Sequence, residues 1–130
     1  MKGEKNYLWF VYASAQSAAM AAVGATATVT IQVAADAPFQ MQQVTLTVLQ
    51  ASLVVVNWGG TVNIEIQQQG RQISNVAIPA HALLLNGSVP YELKPYRLVP
   101  ANSSILVTFT SPVVTSTTCQ ICFHGNKVLG

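Results

Sequence analysis

The sequence predicts an all-β fold, an antiparallel β-sandwich of seven to eight strands. Three observations support this prediction: short runs that alternate apolar and polar residues, turn-forming residues between the runs, and no segment with a convincing helical pattern. Two sheets packed face to face would bury the apolar rows between them. A jelly-roll or Greek-key connection is favoured, because the Cys…Trp…Cys spacing of immunoglobulin domains is missing.

The clearest strands lie between residues 26 and 49. Residues 26–34 and 41–49 each place Val, Ile or Leu at every second position, with Thr and Gln between them. This period of two indicates extended strands with one buried face. Asp36 and Pro38 favour a turn between the runs. We expect the two strands to form a hairpin-like unit on which the other strands dock.

The remaining strands are weaker and are taken in chain order. They are predicted at residues 7–13, 51–57, 61–67, 72–78, 105–109 and 117–123. Residues 15–25 are Ala-rich and predict a loop with at most a turn of helix. Residues 51–57 are continuously apolar, which indicates a strand buried on both faces or an extension of the preceding strand. Residues 79–100 predict the longest irregular stretch, and residues 125–130 predict a tail.

Length and composition predict one domain with an unusually uncharged surface. The chain has 130 residues, of which 8% are charged, compared with about a quarter in typical domains. Within it, residues 1–25 form an N-terminal aromatic strand and Ala-rich loop, and residues 26–130 form the sandwich. A net charge of +2 with scattered Lys and Arg argues against a nucleic-acid partner. Because so uncharged a surface is poorly soluble alone, we expect other chains to cover much of it.

Cys119 and Cys122 form a C-x-x-C motif in a β-rich run. Zinc would need two more ligands, and His81 and His124 are the histidines of the chain. A thioredoxin-like motif would open a helix instead. Since positions three apart on a strand face opposite sides, a disulfide between them is awkward. We expect two reduced cysteines, at least one of them in the core, and neither a metal nor a cofactor.

The N-terminal segment has the outline of a signal peptide, with Lys2 and Lys5 before an apolar run and a small-residue triplet at 13–15. The apolar run is short and aromatic rather than Leu-rich, which favours a strand. It is also too short and too polar at its end to cross a membrane.

Catalytic residues are sparse in this sequence. The acids Glu4, Asp36, Glu65 and Glu92 lie in four separate regions, and no nucleophile elbow accompanies His81 or His124. We therefore expect no enzymatic activity. Trp9 and Trp58 could form a sugar-binding platform, although packing in the core or at an interface is favoured for both residues.

Three stretches together resemble small virion proteins of tailed bacteriophages. They are residues 25–39 (Ala-Thr-Ala-Thr-Val-Thr-Ile-Gln-Val-Ala-Ala-Asp-Ala-Pro-Phe), residues 73–79 with 83–87 (Ile-Ser-Asn-Val-Ala-Ile-Pro and Leu-Leu-Leu-Asn-Gly), and residues 95–109 (Pro-Tyr-Arg-Leu-Val-Pro-Ala-Asn-Ser-Ser-Ile-Leu-Val-Thr-Phe). The resemblance implies a jelly-roll cement, or decoration, protein. Such a protein is made in the host cytoplasm and sits on the capsid surface across junctions of the major capsid protein, as a dimer or trimer.

Under this interpretation the partner contacts are aromatic, because Tyr and Trp are favoured as buried anchors. The predicted contact residues are Tyr7, Trp9, Phe10 and Tyr12 in the first strand, Trp58 in a turn, and Tyr91 and Tyr96 near the last prolines. Two rival functions share the fold and composition. One is a tail or baseplate adaptor, and the other is a carbohydrate-binding module.

Overall fold

A computed structural model describes residues 6–50, 53–55, 58–66, 71–72, 78–79 and 91–129. These residues form β-strands and no helix, which confirms the all-β prediction. The strands are β1 (Asn6–Ala13), β2 (Thr26–Gln32), β3 (Phe39–Gln50), β4 (Leu53–Val55), β5 (Thr61–Ile66), β6 (Arg71–Gln72), β7 (Ile78–Pro79), β8 (Tyr91–Val99), β9 (Ser104–Thr110) and β10 (Thr117–Leu129).

The strands build two antiparallel sheets. In the first sheet the order is β1-β10-β3, and β8 and β4 both pair with the far edge of β3. In the second sheet the order is β2-β9-β5, and β6 and β7 both pair with the far edge of β5. The pairing is nested along the chain: β1 pairs with β10, β2 with β9, and β3 with β8.

One hydrophobic core is shared by residues from both sheets. On β2, β5 and β9 every second side chain is buried, as the period-two pattern predicted. The largest fully buried side chains are Trp58, Phe39, Phe109, Phe123, Met20 and Met41. The first sheet therefore has an inner face in the core and an outer face turned away from it, and the same holds for the second sheet.

The predicted hairpin between residues 26 and 49 is wrong. β2 pairs with β9 in the second sheet, whereas β3 pairs with β10 in the first sheet. The turn at residues 35–36 carries the chain from one sheet to the other. β2 pairs with β9 along its whole length and β3 pairs with β10 along most of its length, and local sequence does not encode that choice of partner.

Two segments that were predicted to be irregular are strands. β8 lies within residues 79–100, and β10 continues to Leu129 through the predicted tail. The prolines within residues 79–100 are the reason that an irregular stretch was predicted in place of β8. Pro95 lies between the two stretches of β8 that pair with β3, where its missing N–H interrupts no ladder bond.

The weaker predicted elements have mixed outcomes. β4 folds back and pairs antiparallel with the end of β3, so it does not continue that strand, and Leu53 and Val54 are 71% and 68% exposed, so burial on both faces is wrong for them. Residues 15–25 contain no helix, and Met20 forms an isolated bridge with Thr117 and is buried. Of the strand predicted at 72–78, residues 73–77 lie outside the described residues, as do His81 and residues 83–87.

The side chain of Lys127 links β1 to the loop at residues 35–36 that joins the two sheets. Its Nζ atom lies 3.1 Å from Asp36 Oδ2 and 4.2 Å from the centroid of the Phe10 ring. Nearby, the Ala34 amide donates a hydrogen bond of 3.0 Å to the hydroxyl of Tyr12. β1 is therefore tied to the sandwich by side chains as well as by its eight-residue pairing with β10.

Candidate interaction surface

The outer face of the first sheet is the candidate functional site. It is built by alternate residues of five strands, in the order β1, β10, β3 and then β8 and β4. Because side chains alternate across a strand, the residues next to each buried position belong to this face. We call it the outer face of the first sheet throughout.

Its first edge is aromatic and belongs to β1. Tyr7, Trp9 and Val11 share this face and are 57%, 52% and 40% exposed. The ring centroid of Trp9 lies 6.5 Å from that of His124 on β10. Half-exposed aromatic side chains offer large contact areas at low cost in conformational entropy, so this edge suits binding of a protein surface.

The centre of the face is polar, and its described side chains include no Asp, Glu, Lys or Arg. His124 Nε2 and Thr45 Oγ1 lie 3.0 Å apart, within hydrogen-bond distance. Cys122 pairs across the sheet with Thr45 on one side and Ala13 on the other, and it is a free, half-buried thiol. These groups can accept or donate hydrogen bonds to a partner with little cost of desolvating a full charge.

The opposite edge is again apolar. Tyr96 and Leu98 of β8 are 46% and 56% exposed, and Val54 of β4 is 68% exposed. Among the described side chains of the outer face, none belongs to Asp, Glu, Lys or Arg. A sheet face with apolar edges and an uncharged centre is typical of a surface that another protein covers.

The structure separates the predicted contact residues into two groups. Tyr7, Trp9 and Tyr96 are exposed on the outer face of the first sheet. Tyr12 and Trp58 are 8% and 2% exposed and belong to the core, so neither is available to a partner of the folded domain.

The two other predicted contacts are Phe10 and Tyr91. The ring of Phe10 is half-buried and packs edge-on against Tyr12, with centroids 4.8 Å apart. Tyr91 begins β8, and its side chain lies outside the described part of the chain.

The sequence prediction missed the aliphatic members of this surface. Val11, Val54 and Leu98 are all at least 40% exposed, and Leu8, on the opposite side of β1, is 51% exposed. For Leu8 and Val11 a signal was present, because residues 7–12 are apolar on both faces of the strand, which a half-buried strand does not require. For Leu98 no local signal existed, since β8 itself was not predicted.

The outer face of the second sheet is different in character. It carries Thr26, Thr28 and Thr30 from β2 and Thr108 and Thr110 from β9, and the Thr28 and Thr108 hydroxyl oxygens lie 3.5 Å apart. None of the exposed large hydrophobic side chains lies on β2, β5 or β9. This face has the Thr-rich composition of an ordinary solvated sheet surface.

Groups that could support chemistry are dispersed in the described residues. Those residues include no cluster of three or more His, Cys, Asp or Glu that could hold a metal ion. Asp36 is paired with Lys127, Glu65 lies on β5, and His124 lies on the first sheet. The described part of the chain also includes no helix long and apolar enough to cross a membrane.

The prediction that at least one cysteine lies in the core is confirmed, since Cys119 is fully buried, and both thiols are free in the structure. Burial raises the pKa of the Cys119 thiol from 9.0 to about 12. Between these values the unfolded chain loses the thiol proton and the folded chain keeps it, so the folded state loses stability as pH rises.

We therefore expect Cys119→Ala to flatten the alkaline decline in stability. The free energy of unfolding of the original chain should fall relative to that of the variant from about pH 9 to about pH 12. Below pH 9 the difference between the two proteins should be constant. Urea denaturation at a series of pH values measures this, and parallel curves up to pH 12 would contradict it.

Comparison with protein-family models, with curated proteins and with solved structures found no match.

Proposed function

We propose that this chain is a structural virion protein, a capsid cement protein of the tailed-bacteriophage type. It would bind across junctions of the major capsid protein and stabilise the shell, as a homo-oligomer on the capsid surface after synthesis in the host cytoplasm. The observation that supports this most is the outer face of the first sheet, whose described side chains include no Asp, Glu, Lys or Arg, with half-exposed Trp9 at one edge and Leu98 at the other.

The pairing of the strands supports a jelly roll as the finer topology. In a jelly roll one long antiparallel hairpin folds over, so that the first strand meets the last and the second meets the last but one. The pairs β1–β10, β2–β9 and β3–β8 follow this order. The links β10–β3 and β9–β5 then join these pairs into two sheets.

A cement role also suits the modest size of the surface. Each aromatic or aliphatic anchor contributes about 1.5–3 kcal/mol when it is fully buried, and association costs offset much of that gain. One copy would bind weakly. An oligomer would make several such contacts at once, and many copies would bind one shell. The weak binding of each copy would then add up to a large stabilisation of the shell.

A carbohydrate-binding module is less well supported. The platform would use Trp9 and Trp58, and Trp58 is buried. A tail or baseplate adaptor shares the fold and the surface, so it differs from a cement protein in position and copy number alone.

Quantitative mass spectrometry of purified virus particles tests the proposal. The measurement is the copy number of this chain relative to the major capsid protein. A ratio near one copy per few capsid subunits is the expected result for a cement protein. A handful of copies per particle would overturn it in favour of a tail adaptor, and absence from particles would overturn the virion function altogether.

A further inference from the structure

In the described part of the chain, the first strand is an edge strand of its sheet. Among the described strands, β1 pairs with β10 on one side and with none on the other. Its register with β10 is continuous over eight residues, without a bulge. Alternate backbone N–H and C=O groups along β1 therefore point away from the sheet, available to another strand.

The other long edges carry the features by which proteins discourage edge pairing. β8 contains Pro95 and charged residues at positions 92, 94 and 97, and β4 has three residues. β2 places no large apolar side chain on its exposed face. β1 has no proline and no charge, and Tyr7, Leu8 and Trp9 are all at least 51% exposed. Such an edge favours pairing with a further strand.

We infer that β1 pairs antiparallel with β1 of a second copy of this chain, joining the two first sheets into one continuous sheet across a two-fold axis at Trp9. This inference deepens the proposed function, which includes a homo-oligomer, by naming the contact. The backbone contact uses the strand edge, and only the first edge of the outer face, with Tyr7, Trp9 and Val11, takes part in it.

The sequence of β1 is complementary to itself in this register. With the axis at Trp9, the two Trp9 side chains are neighbours on one face, and Tyr7 lies opposite Val11 of the second copy. On the other face Leu8 lies opposite Phe10. Aromatic–aromatic and aromatic–β-branched pairs are the cross-strand combinations that stabilise sheets most.

Electrostatics permit the approach of an identical chain. Like charges facing each other across a two-fold axis would oppose a dimer, and β1 carries none. Lys127, whose backbone pairs with Leu8, is neutralised by Asp36 and is 8% exposed. A strongly charged partner strand would find no complementary charge on this edge.

The exposed apolar area of β1 determines the affinity that we expect for the dimer. The exposed halves of Tyr7, Trp9 and Leu8 with Val11 amount to roughly 300–400 Å² per copy. Two copies and the edge backbone approach the roughly 1,000 Å² at which specific interfaces begin. The dimer is thus expected to be micromolar rather than nanomolar, and to be strengthened where copies are concentrated on a shell.

Sedimentation equilibrium of the purified chain over a concentration series tests the inference, with two variants. Trp9→Lys places a charge at the axis and should raise the dimer dissociation constant more than about tenfold. Val114→Lys adds the same charge at a 70% exposed loop position and should leave the constant unchanged. A monomer at all concentrations, or a dimer that Trp9→Lys does not weaken, would overturn the inference.

A cysteine placed on the axis tests the register. In a Cys122→Ser background, Trp9→Cys should form a disulfide-linked dimer on mild oxidation, because the two position-9 Cα atoms would lie about 4.5–5.5 Å apart. Val23→Cys, at a loop position 70% exposed, should not. Equal cross-linking of both variants would contradict pairing at Trp9. A monomer found at high copy number in particles would overturn the dimer and leave the cement function standing.

Discussion

Replacing Gly125 with alanine is expected to lower the free energy of unfolding by about 3 kcal/mol or more, or to prevent folding. β3 carries an extra residue, Gln42, that has no partner on β10, and Gly125 packs against this bulge. A Cβ atom on Gly125 would overlap the backbone carbonyl oxygen of Gln40 and lie 3.2 Å from the amide nitrogen of Gln42. Because these neighbouring atoms are backbone atoms of β3, no side-chain movement can make space for the new methyl group.

Urea denaturation followed by circular dichroism measures this effect, and Gly59→Ala is the matched control. A Cβ atom on Gly59 would make an ordinary contact, 3.7 Å from the side chain of Pro112. We expect that variant to lie within about 0.5 kcal/mol of the original chain. Equal stabilities for the two alanine variants would show that β10 and β3 do not approach each other as described.

Replacing Trp58 with alanine is expected to cost about 3–5 kcal/mol of stability. Trp58 is 2% exposed, in the core cluster, and its ring lies over Gly60, where a Cβ atom would overlap ring carbons. Removing the ring leaves a large cavity that the surrounding strands cannot fill. A typical domain has about 5–15 kcal/mol of stability in total, so the variant would be close to unfolding.

The matched control is Trp9→Ala. Because Trp9 is 52% exposed at the sheet edge, its removal should cost no more than about 1 kcal/mol. Chemical denaturation with circular dichroism compares the two variants. A stable Trp58→Ala protein would contradict the placement of this residue in the core, and would restore it as a candidate contact for a partner or a sugar.

The contrast between the two tryptophans shows what local sequence could predict. Alternation predicted most strands and their buried faces, because one side chain in two must leave water. It could not rank aromatic residues by exposure. Trp58 is buried because Gly60 leaves space for its ring, and Tyr12 is buried because its position in β1 faces Phe39, 4.8 Å away between ring centroids. Both depend on contacts made by the folded chain.

Local sequence also could not predict which strands belong to which sheet. Residues 26–49 have the pattern of a hairpin, but β2 pairs with β9, 72 to 84 residues later, and β3 pairs with β10, 67 to 88 residues later. Strand pairing at that separation depends on the whole topology rather than on turn residues. For the same reason the outer face of the first sheet could not be assembled from sequence, since it combines residues of five strands.

Covalent labelling of Cys122 tests most directly whether the outer face of the first sheet binds the shell. Cys122 lies near the centre of that face, while the buried Cys119 contributes little signal. A cysteine introduced by Thr28→Cys reports on the outer face of the second sheet. We expect Cys122 to react at least about tenfold more slowly in particles than in the free chain, with position 28 unaffected. Unchanged labelling of Cys122 together with protection of position 28 would contradict the account.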